Sequence, residues 1–373
     1  MIALGWWWLA AAGCSSSSSP VAGSPDAGGT GGAGAVDASD VPAPSDRSPA
    51  VDAADAVDAV DTPVAEDVPP AVDGPPATIT EFPLPAADSA PEGLAVGPDG
   101  NLWFTEAGSG INRIGRMTPT GVVTEFEIPA AASVPWGLAA GPDGNLWFVE
   151  QSANQIGRLT PAGVFTEFPI PTPRGYAFSI TAGPDGNLWF TEQGDNQIMR
   201  LTPAGTFTGF PIPTAGAYPV GITVGPDGNL WFTEQSGNKI GRITPAGVIT
   251  EFPVPTPNCT PYGITAGPDG NLWFTEYNGV KIGRLTPAGV FTEFPIPTPS
   301  CTPYGITAGP DGNLWFTEYD GVKVGRITPA GVISEYPIPN VHCYPSIITT
   351  GPDHALWFTE YNGNSLGRLV LDP

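Results

Sequence analysis

The sequence predicts an all-β fold: a seven-bladed β-propeller of four-stranded blades, its last blade closed by the N-terminal strand, preceded by a disordered linker. Three observations carry this prediction. The phrase Gly-Pro-Asp-Gly-Asn-Leu-Trp-Phe-Thr-Glu recurs with small changes from Gly97, Gly141, Gly183, Gly225, Gly267, Gly309 and Gly351, one step of 44 residues followed by five of 42. A period in the forties with one turn signature per unit marks propeller blades. Composition agrees, because Gly 49 and Pro 46 beside only 13% charged residues suit many short strands broken by turns. The third observation is that the two ends of the repeat region complement one another.

Each unit reads as four strands, shown by the copy around Gly267. Tyr262 to Ala266 is the innermost strand, and Gly267-Pro268-Asp269-Gly270 is a tight turn. Leu272 to Glu276 alternate as a second strand, and Tyr277-Asn278-Gly279 turns into a third from Lys281 to Leu285. Thr286-Pro287-Ala288-Gly289 leads to the outer strand Val290 to Phe294. Pro295-Ile296-Pro297 then ends pairing, since proline offers no N–H to a ladder. The last copy stops in its third strand at Leu369-Val370-Leu371, while Ile79-Thr80-Glu81-Phe82-Pro83 near the N-terminus matches the outer-strand phrase Ile249-Thr250-Glu251-Phe252-Pro253. The N-terminal strand is therefore expected to complete the last blade and remove a sheet edge. The extra residues of the first step fall in the loop Ala107 to Ile111.

Residues 77–373 form the propeller in this reading, 15–76 an acidic disordered linker and 1–14 a signal peptide. Met1 to Gly13 is an apolar run ending in small residues before Cys14, as in the lipobox of a bacterial lipoprotein, where that cysteine is acylated. The alternative is a short buried or spanning helix, but so few residues span a bilayer poorly. The linker has no aromatic residue and eleven acids against the single Arg47, so it cannot bury enough apolar area to offset its ordering entropy. Its net charge of about −10 self-repels and extends the chain. The expected location is the bacterial cell envelope, at the outer membrane or cell surface, with membrane contact through the lipid anchor only. A formal charge of −24 excludes phosphate backbones as partners, so no nucleic acid is expected. The chain is expected to be monomeric.

Seven internal copies separate scaffold from site. Trp103, Trp147, Trp189, Trp231, Trp273, Trp315 and Trp357 occur once per blade and are expected to pack between blades. The arginines closing each third strand, Arg116 to Arg368, are expected to pair or stack within the blade. The glutamates ending each second strand, among them Glu106 and Glu360, read mainly as hydrogen-bond acceptors. They are also candidate metal ligands, since oxygens gathered on one face suit Mg²⁺ or Ca²⁺. At the entry to the innermost strand the repeat is abandoned: the copies read Glu92, Trp136, Phe178, Val220, Tyr262, Tyr304 and Ser346. A rigid scaffold with one divergent position suggests a mouth for a small molecule, peptide or glycan, with Tyr277, Tyr319 and Tyr361 widening its aromatic surface. The competing reading is that these side chains plug the channel. Cys259, Cys301 and Cys343 recur at one position of consecutive blades, so a disulfide between neighbours and a three-thiolate metal site are both open.

The repeated Gly-Pro-Asp-Gly-Asn-Leu-Trp-Phe-Thr-Glu, with Thr-Glu-Phe-Pro-Ile-Pro, resembles the virginiamycin B (streptogramin B) lyase family over residues 77–373. The resemblance implies a seven-bladed propeller that linearises streptogramin B depsipeptides by Mg²⁺-dependent elimination, a carbon–oxygen lyase acting at the mouth. It implies a Glu-Pro-His-Gly phrase opening an innermost strand, a metal-holding glutamate in a Trp-Phe-x-Glu phrase and a second mouth histidine. Here the matching slots read Pro91-Glu92-Gly93, Pro135-Trp136-Gly137, Pro261-Tyr262-Gly263 and Pro303-Tyr304-Gly305, with no histidine. His342 precedes Ser346 by four residues, and His354 replaces a turn glycine. Elimination needs a base near neutral pH, which histidine supplies more readily than tyrosine or an ordinary carboxylate. Two functions follow from the residues. One is a lyase with a divergent site drawn from Glu92, Glu106, Glu360 and His342. The other is a noncatalytic surface propeller binding a peptide, glycan or protein. For the anchor, Cys14→Ala is expected to move the protein from the membrane to the soluble fraction on fractionation.

Overall fold

A computed structural model of the chain describes residues 74–173 and 175–372. The proposed signal peptide, Cys14 and all but the last three linker residues lie outside the described residues. The described chain forms seven four-stranded antiparallel sheets, and no helix occurs in it. The innermost strands are Pro91–Val96, Pro135–Ala140, Ala177–Ala182, Pro219–Val224, Pro261–Ala266, Pro303–Ala308 and Pro345–Thr350. They open blades 1 to 7 in that order.

The turn phrase earns its repetition locally. Asp269 accepts hydrogen bonds from the Asn271 N–H (3.2 Å) and from Trp273 Nε1 (3.0 Å), so one carboxylate closes the turn and satisfies a buried indole. Trp273 is fully buried and packs with Ile306 and Phe316 of the next blade, which bears out the inter-blade role expected of the tryptophans. The Arg284 guanidinium lies over the Trp273 and Phe294 rings at 5.6 and 5.5 Å and donates to the Pro329 carbonyl of the next blade at 2.9 Å. The arginine thus stacks within its blade and also ties it to its neighbour. Truncating such a tryptophan to alanine typically costs about 3–5 kcal/mol in lost burial and cavity formation. Under the second-strand phenylalanine the third strand needs glycine: any side chain at Gly283 would meet the Phe274 ring. Blade 3 departs from this, with Met199 at the glycine position and Gly209 directly opposite it on the outer strand.

Ring closure is as the ends of the repeat predict. Ala77–Pro83 pairs antiparallel with the final strand Ser365–Leu371, from Ala77↔Leu371 to Pro83↔Ser365. Contacts begin slightly before the expected boundary at 77: the Pro75 carbonyl accepts from the Tyr336 hydroxyl at 3.2 Å and the Pro76 carbonyl from the Asp372 N–H at 2.8 Å.

The cysteine expectation is corrected. Cys259, Cys301 and Cys343 are free thiols, each fully buried in the apolar cluster of its own blade. One repeat of separation puts each beside its own strand-end glutamate, and burial raises every thiol far above its ordinary pKa. Among the described residues these thiols form no disulfide and gather with no other metal-ligating side chains.

Deleting residues 77–85 removes seven ladder partners from the last blade, and the whole domain is expected to melt at a lower temperature. Deleting residues 20–70 is expected to leave the melting temperature unchanged. Equal thermal stability of the two deletions in calorimetry would refute closure as a determinant of stability.

Candidate mouth site

The mouth is built by a defect that occurs in all seven innermost strands. In blade 1 the register passes from Pro91↔Glu106 to Leu94↔Phe104, so the innermost strand carries one extra residue at Glu92–Gly93. The same shift recurs in every blade. A bulge of this kind re-aims a side chain out of the regular alternation. The residue before each bulge has a left-handed backbone, φ +43° to +54°, at Ala90, Val134, Tyr176, Tyr218, Thr260, Thr302 and Tyr344, none of them glycine. For β-branched and aromatic residues this costs on the order of 1–3 kcal/mol each and persists only where the surroundings enforce it.

In six of the seven blades the threonine of Trp-Phe-Thr-Glu braces the bulge. Thr275 Oγ1 accepts from the bulge N–H of Gly263 (2.8 Å) and donates to the Tyr304 carbonyl of the next blade (2.8 Å). Thr191, Thr233 and Thr317 make the same pair of contacts, and Thr359 carries the chain of links from blade 7 to the Glu92 carbonyl of blade 1 at 3.3 Å. Sequence reasoning passed over these threonines, although their repetition was the available signal.

The re-aimed side chains meet one another. Trp136 and Phe178 pack at 4.9 Å between ring centroids, Phe178 meets Tyr262 edge-on at 6.0 Å, and Tyr262 and Tyr304 lie 4.1 Å apart with their hydroxyls hydrogen-bonded. Ser346 Oγ, fully buried, donates to Glu92 Oε2 at 2.7 Å. Glu92 is 5% exposed, and burial raises its carboxyl to about 8 against the opposing Ser346 hydrogen bond. The divergent positions therefore fill the end of the channel. Behind them a cavity of about 570 Å³ continues along the innermost strands, floored by Phe178, Tyr262 and Tyr304.

Solvent meets a second tier of aromatics. Tyr304 stacks on Tyr319 at 5.6 Å, which lies 5.0 Å from Tyr344, and Tyr262 packs on Tyr277 at 6.0 Å. Tyr176 and Tyr218 are 48% and 44% exposed. The tyrosine rim spans blades 3 to 7, and Tyr176, Tyr218 and Tyr344 in it were not singled out from the sequence. They too sit at a position where the copies diverge, one residue before the start of the innermost strand, which is proline except for Ala177 in blade 3.

The other candidates lie elsewhere. His342 is exposed, its ring nitrogen Nδ1 3.0 Å from the Val341 carbonyl, and His354 occupies the turn leading into Leu356–Glu360 at φ +60°. All seven strand-end glutamates are fully buried. Glu360 Oε2 accepts from Ser365 Oγ at 2.8 Å while Oε1 is unpartnered, and both oxygens of Glu106, Glu150, Glu234, Glu276 and Glu318 are unpartnered. Each sits near the outer strand of its blade: burial and Glu125 raise Glu106 to about 7, and burial with the nearby Glu81 raises Glu360 to about 7. Burial of this kind favours the protonated form of the acid. Among the described residues no group of three or more His, Cys, Asp or Glu side chains converges as a metal site. Glu106 and Glu360 have separate sets of neighbours, so the residues present do not fit a magnesium ion and no chemical step is derived through one.

This arrangement defines a class, a seven-bladed propeller with an acid-bearing aromatic mouth. The sequence profile of the virginiamycin B lyase family matches residues 72–279 and 254–373, and the chain belongs to that family. A streptogramin B lyase structure is 41% identical, with a TM-score of 0.76, covering 79% of this chain and 98% of that one. Virginiamycin B lyase from Staphylococcus aureus is 41% identical at a TM-score of 0.76, over 80% of this chain and all of its own. A catalytically inactive histidine-to-alanine variant of that enzyme, solved with quinupristin, is 42% identical over the same 80%. The WD40 propeller domain of Doa1, 11% identical at a TM-score of 0.64, shares the fold alone. No curated protein matched the chain in the corresponding search.

The buried acids give a pH dependence with a definite sign. Burial raises Glu234 and Glu318 to about 8 and Glu106, Glu150, Glu276 and Glu360 to about 7, so between the unfolded carboxylate pKa and these values the folded state holds the extra protons. Stability therefore falls as pH rises through that window. The outer-strand partners Glu251, Glu293 and Glu335 have the opposite sign but act only below it, because hydrogen bonds from lysine and threonine outweigh burial and hold them low. Melting temperature is expected to be higher at pH 5 than at pH 8.5, and Glu234→Gln to flatten the difference. A melting temperature rising across that range would contradict neutral buried acids.

Proposed function

We propose that this member of the virginiamycin B lyase family is a binding propeller, holding a peptide-like ligand at its tyrosine rim without efficient elimination. The observation that carries this reading is the chemistry of the one carboxyl at the axis. Glu92, buried and raised to about 8, is mostly protonated at neutral pH, so only a small fraction of it is free to take a proton there. Neither histidine replaces it, since His342 is exposed on its loop and His354 belongs to a turn at the other end of the blade. A well-placed general base is typically worth about 10²–10⁴-fold. The inactive histidine variant of the Staphylococcus aureus enzyme supports the separation of binding from chemistry, because that protein was solved with quinupristin. Broad aromatic faces with hydroxyls at their edges suit a cyclic peptide with apolar side chains and exposed carbonyls.

The tether belongs to the same proposal. Acylation at Cys14 with a long acidic linker would place a monomeric receptor at the envelope, where it meets small molecules, peptides or glycans outside the cytoplasm.

Incubating the purified protein with quinupristin, with and without Mg²⁺, is expected to give binding by calorimetry and little ring opening by mass spectrometry at pH 7. Tyr319→Ala is expected to weaken binding by about 1 kcal/mol or more, since it removes a half-buried ring from the middle of the rim. Any residual linearisation should rise as pH passes about 8 and vanish in Glu92→Gln. Rapid opening at pH 7 that survives Glu92→Gln and is lost in His342→Ala or Glu360→Ala would establish a lyase with a rearranged site instead.

A further inference from the structure

Between the bulges of blades 1, 2 and 3 lies a cavity of about 50 Å³, lined by Trp136, Phe178, Tyr304 and Ile347 with Glu92 as its acid. One water needs roughly 10–15 Å³ of such space, so a group of a few heavy atoms fits. Three of its walls are aromatic: the Trp136 and Phe178 rings are tilted 30° to one another at 4.9 Å, and Tyr304 is held from the other side by Tyr262. Glu92 is the ionisable acid in its lining, neutral at rest near pH 7. Among the described residues its one hydrogen-bond partner is the neutral Ser346 hydroxyl, on Oε2, and no lysine or arginine answers it. By contrast, the other buried carboxylates with a partner carboxylate in blades 4, 5 and 6 have Lys239, Lys281 and Lys323 beside them at 2.8–3.0 Å from the outer-strand acid.

We propose that this cavity is an organic-cation subsite, in which an ammonium head group of a mouth ligand sits against Glu92 and is faced by the rings of Trp136, Phe178 and Tyr304. The inference rests on the reading of the mouth as a binding site and names the ligand chemistry it selects. Aromatic faces present negative quadrupoles, and desolvated cation–π contacts add to the attraction of the buried carboxylate. The chemistry disfavours other occupants. An anion would meet Glu92 and ring faces of the same sign, and a metal ion would find a single carboxylate among carbon walls.

Arrival of a cation favours the ionised form of Glu92, so binding near neutral pH releases a proton. The other titratable groups facing Glu92 are the phenols of Tyr262, Tyr304, Tyr319 and Tyr361, all raised by burial and neutral throughout this range.

The test uses the full-length protein and two probes, choline and the uncharged isostere in which carbon replaces the nitrogen. Calorimetric titrations at pH 7 in buffers of different protonation heat are expected to show choline binding at least about tenfold tighter than the isostere, with release of roughly one proton. Choline affinity should rise between pH 6.5 and 9. Glu92→Gln, which keeps shape and the Ser346 contact, is expected to lose choline affinity by about tenfold or more while the isostere is unaffected. The proposal is overturned by equal affinities for the two probes in the unmodified protein, by cation binding without proton release, or by no choline binding at all. Should choline fail while quinupristin binds, the cation subsite alone falls. Failure of both removes the binding mouth with it.

Discussion

The architecture of this mouth leans on a threonine hydroxyl present in six of the seven blades. A regular strand pair would alternate its side chains and send the residue at position 92 and its equivalents into the blade interfaces. The extra residue in each innermost strand prevents that, but a bulge leaves an N–H without a ladder partner, at a site too buried to rely on water. The second-strand threonine accepts from that N–H and passes its own proton to the carbonyl of the neighbouring mouth residue. One side chain thereby stabilises the local defect and fixes each blade against the next. Blade 2 has Val149 at this position and keeps the same bulge without a hydroxyl. The left-handed residues just before the bulges are held by the same frame, since their carbonyls accept from the residue after each strand-end glutamate at 3.1–3.4 Å.

The strand-end glutamates show how a repeat tolerates buried acids. In blades 4, 5 and 6 a lysine sits between the inner and outer acids, and its ammonium pairs with the outer one. The inner acid, deprived of that partner and fully buried, is better off neutral. Blade 3 provides an internal control. There Gly209 removes the outer carboxylate to make room for Met199, and Glu192 is the one inner acid whose two oxygens are both satisfied, by Thr172 at 2.7 Å and Gln197 at 2.6 Å. Where the outer strand lacks its carboxylate, in blade 3, the inner acid has a donor on each oxygen.

Much of this was legible in the sequence because the chain repeats itself. Blade number, strand order and the pairing of the N-terminal strand with the last blade follow from spacing, and the tryptophans follow from their regularity. Position 92 and its equivalents were legible as special because divergence stood out against seven kept neighbours. What sequence reasoning could not supply was the sense of those side chains. A one-residue bulge leaves spacing within the unit intact, so nothing distinguished residues that line an opening from residues that touch across it. Cys259, Cys301 and Cys343 failed for a related reason: equal sequence spacing means one blade of separation, which keeps each thiol in its own cluster. The tyrosines just before the innermost strands were hidden because a left-handed backbone at a bulky residue has no local signature.

The separation of frame from chemistry explains how a family fold can lose its histidines without losing its shape. Trp–Asp turns, stacked arginines, threonine links and the closing strand all lie outside the seven re-aimed positions, and those positions are exempt from the pairing that sets the blades. A substitution at one of them changes what the axis can do while leaving the frame alone. A histidine there would be neutral and basic at pH 7, ready to take a proton. Glu92, desolvated beside rings that offer it no cation, instead keeps one. Its charge is then set by whatever enters the mouth, so the ligand, and not the resting protein, decides whether this axis carries an ion.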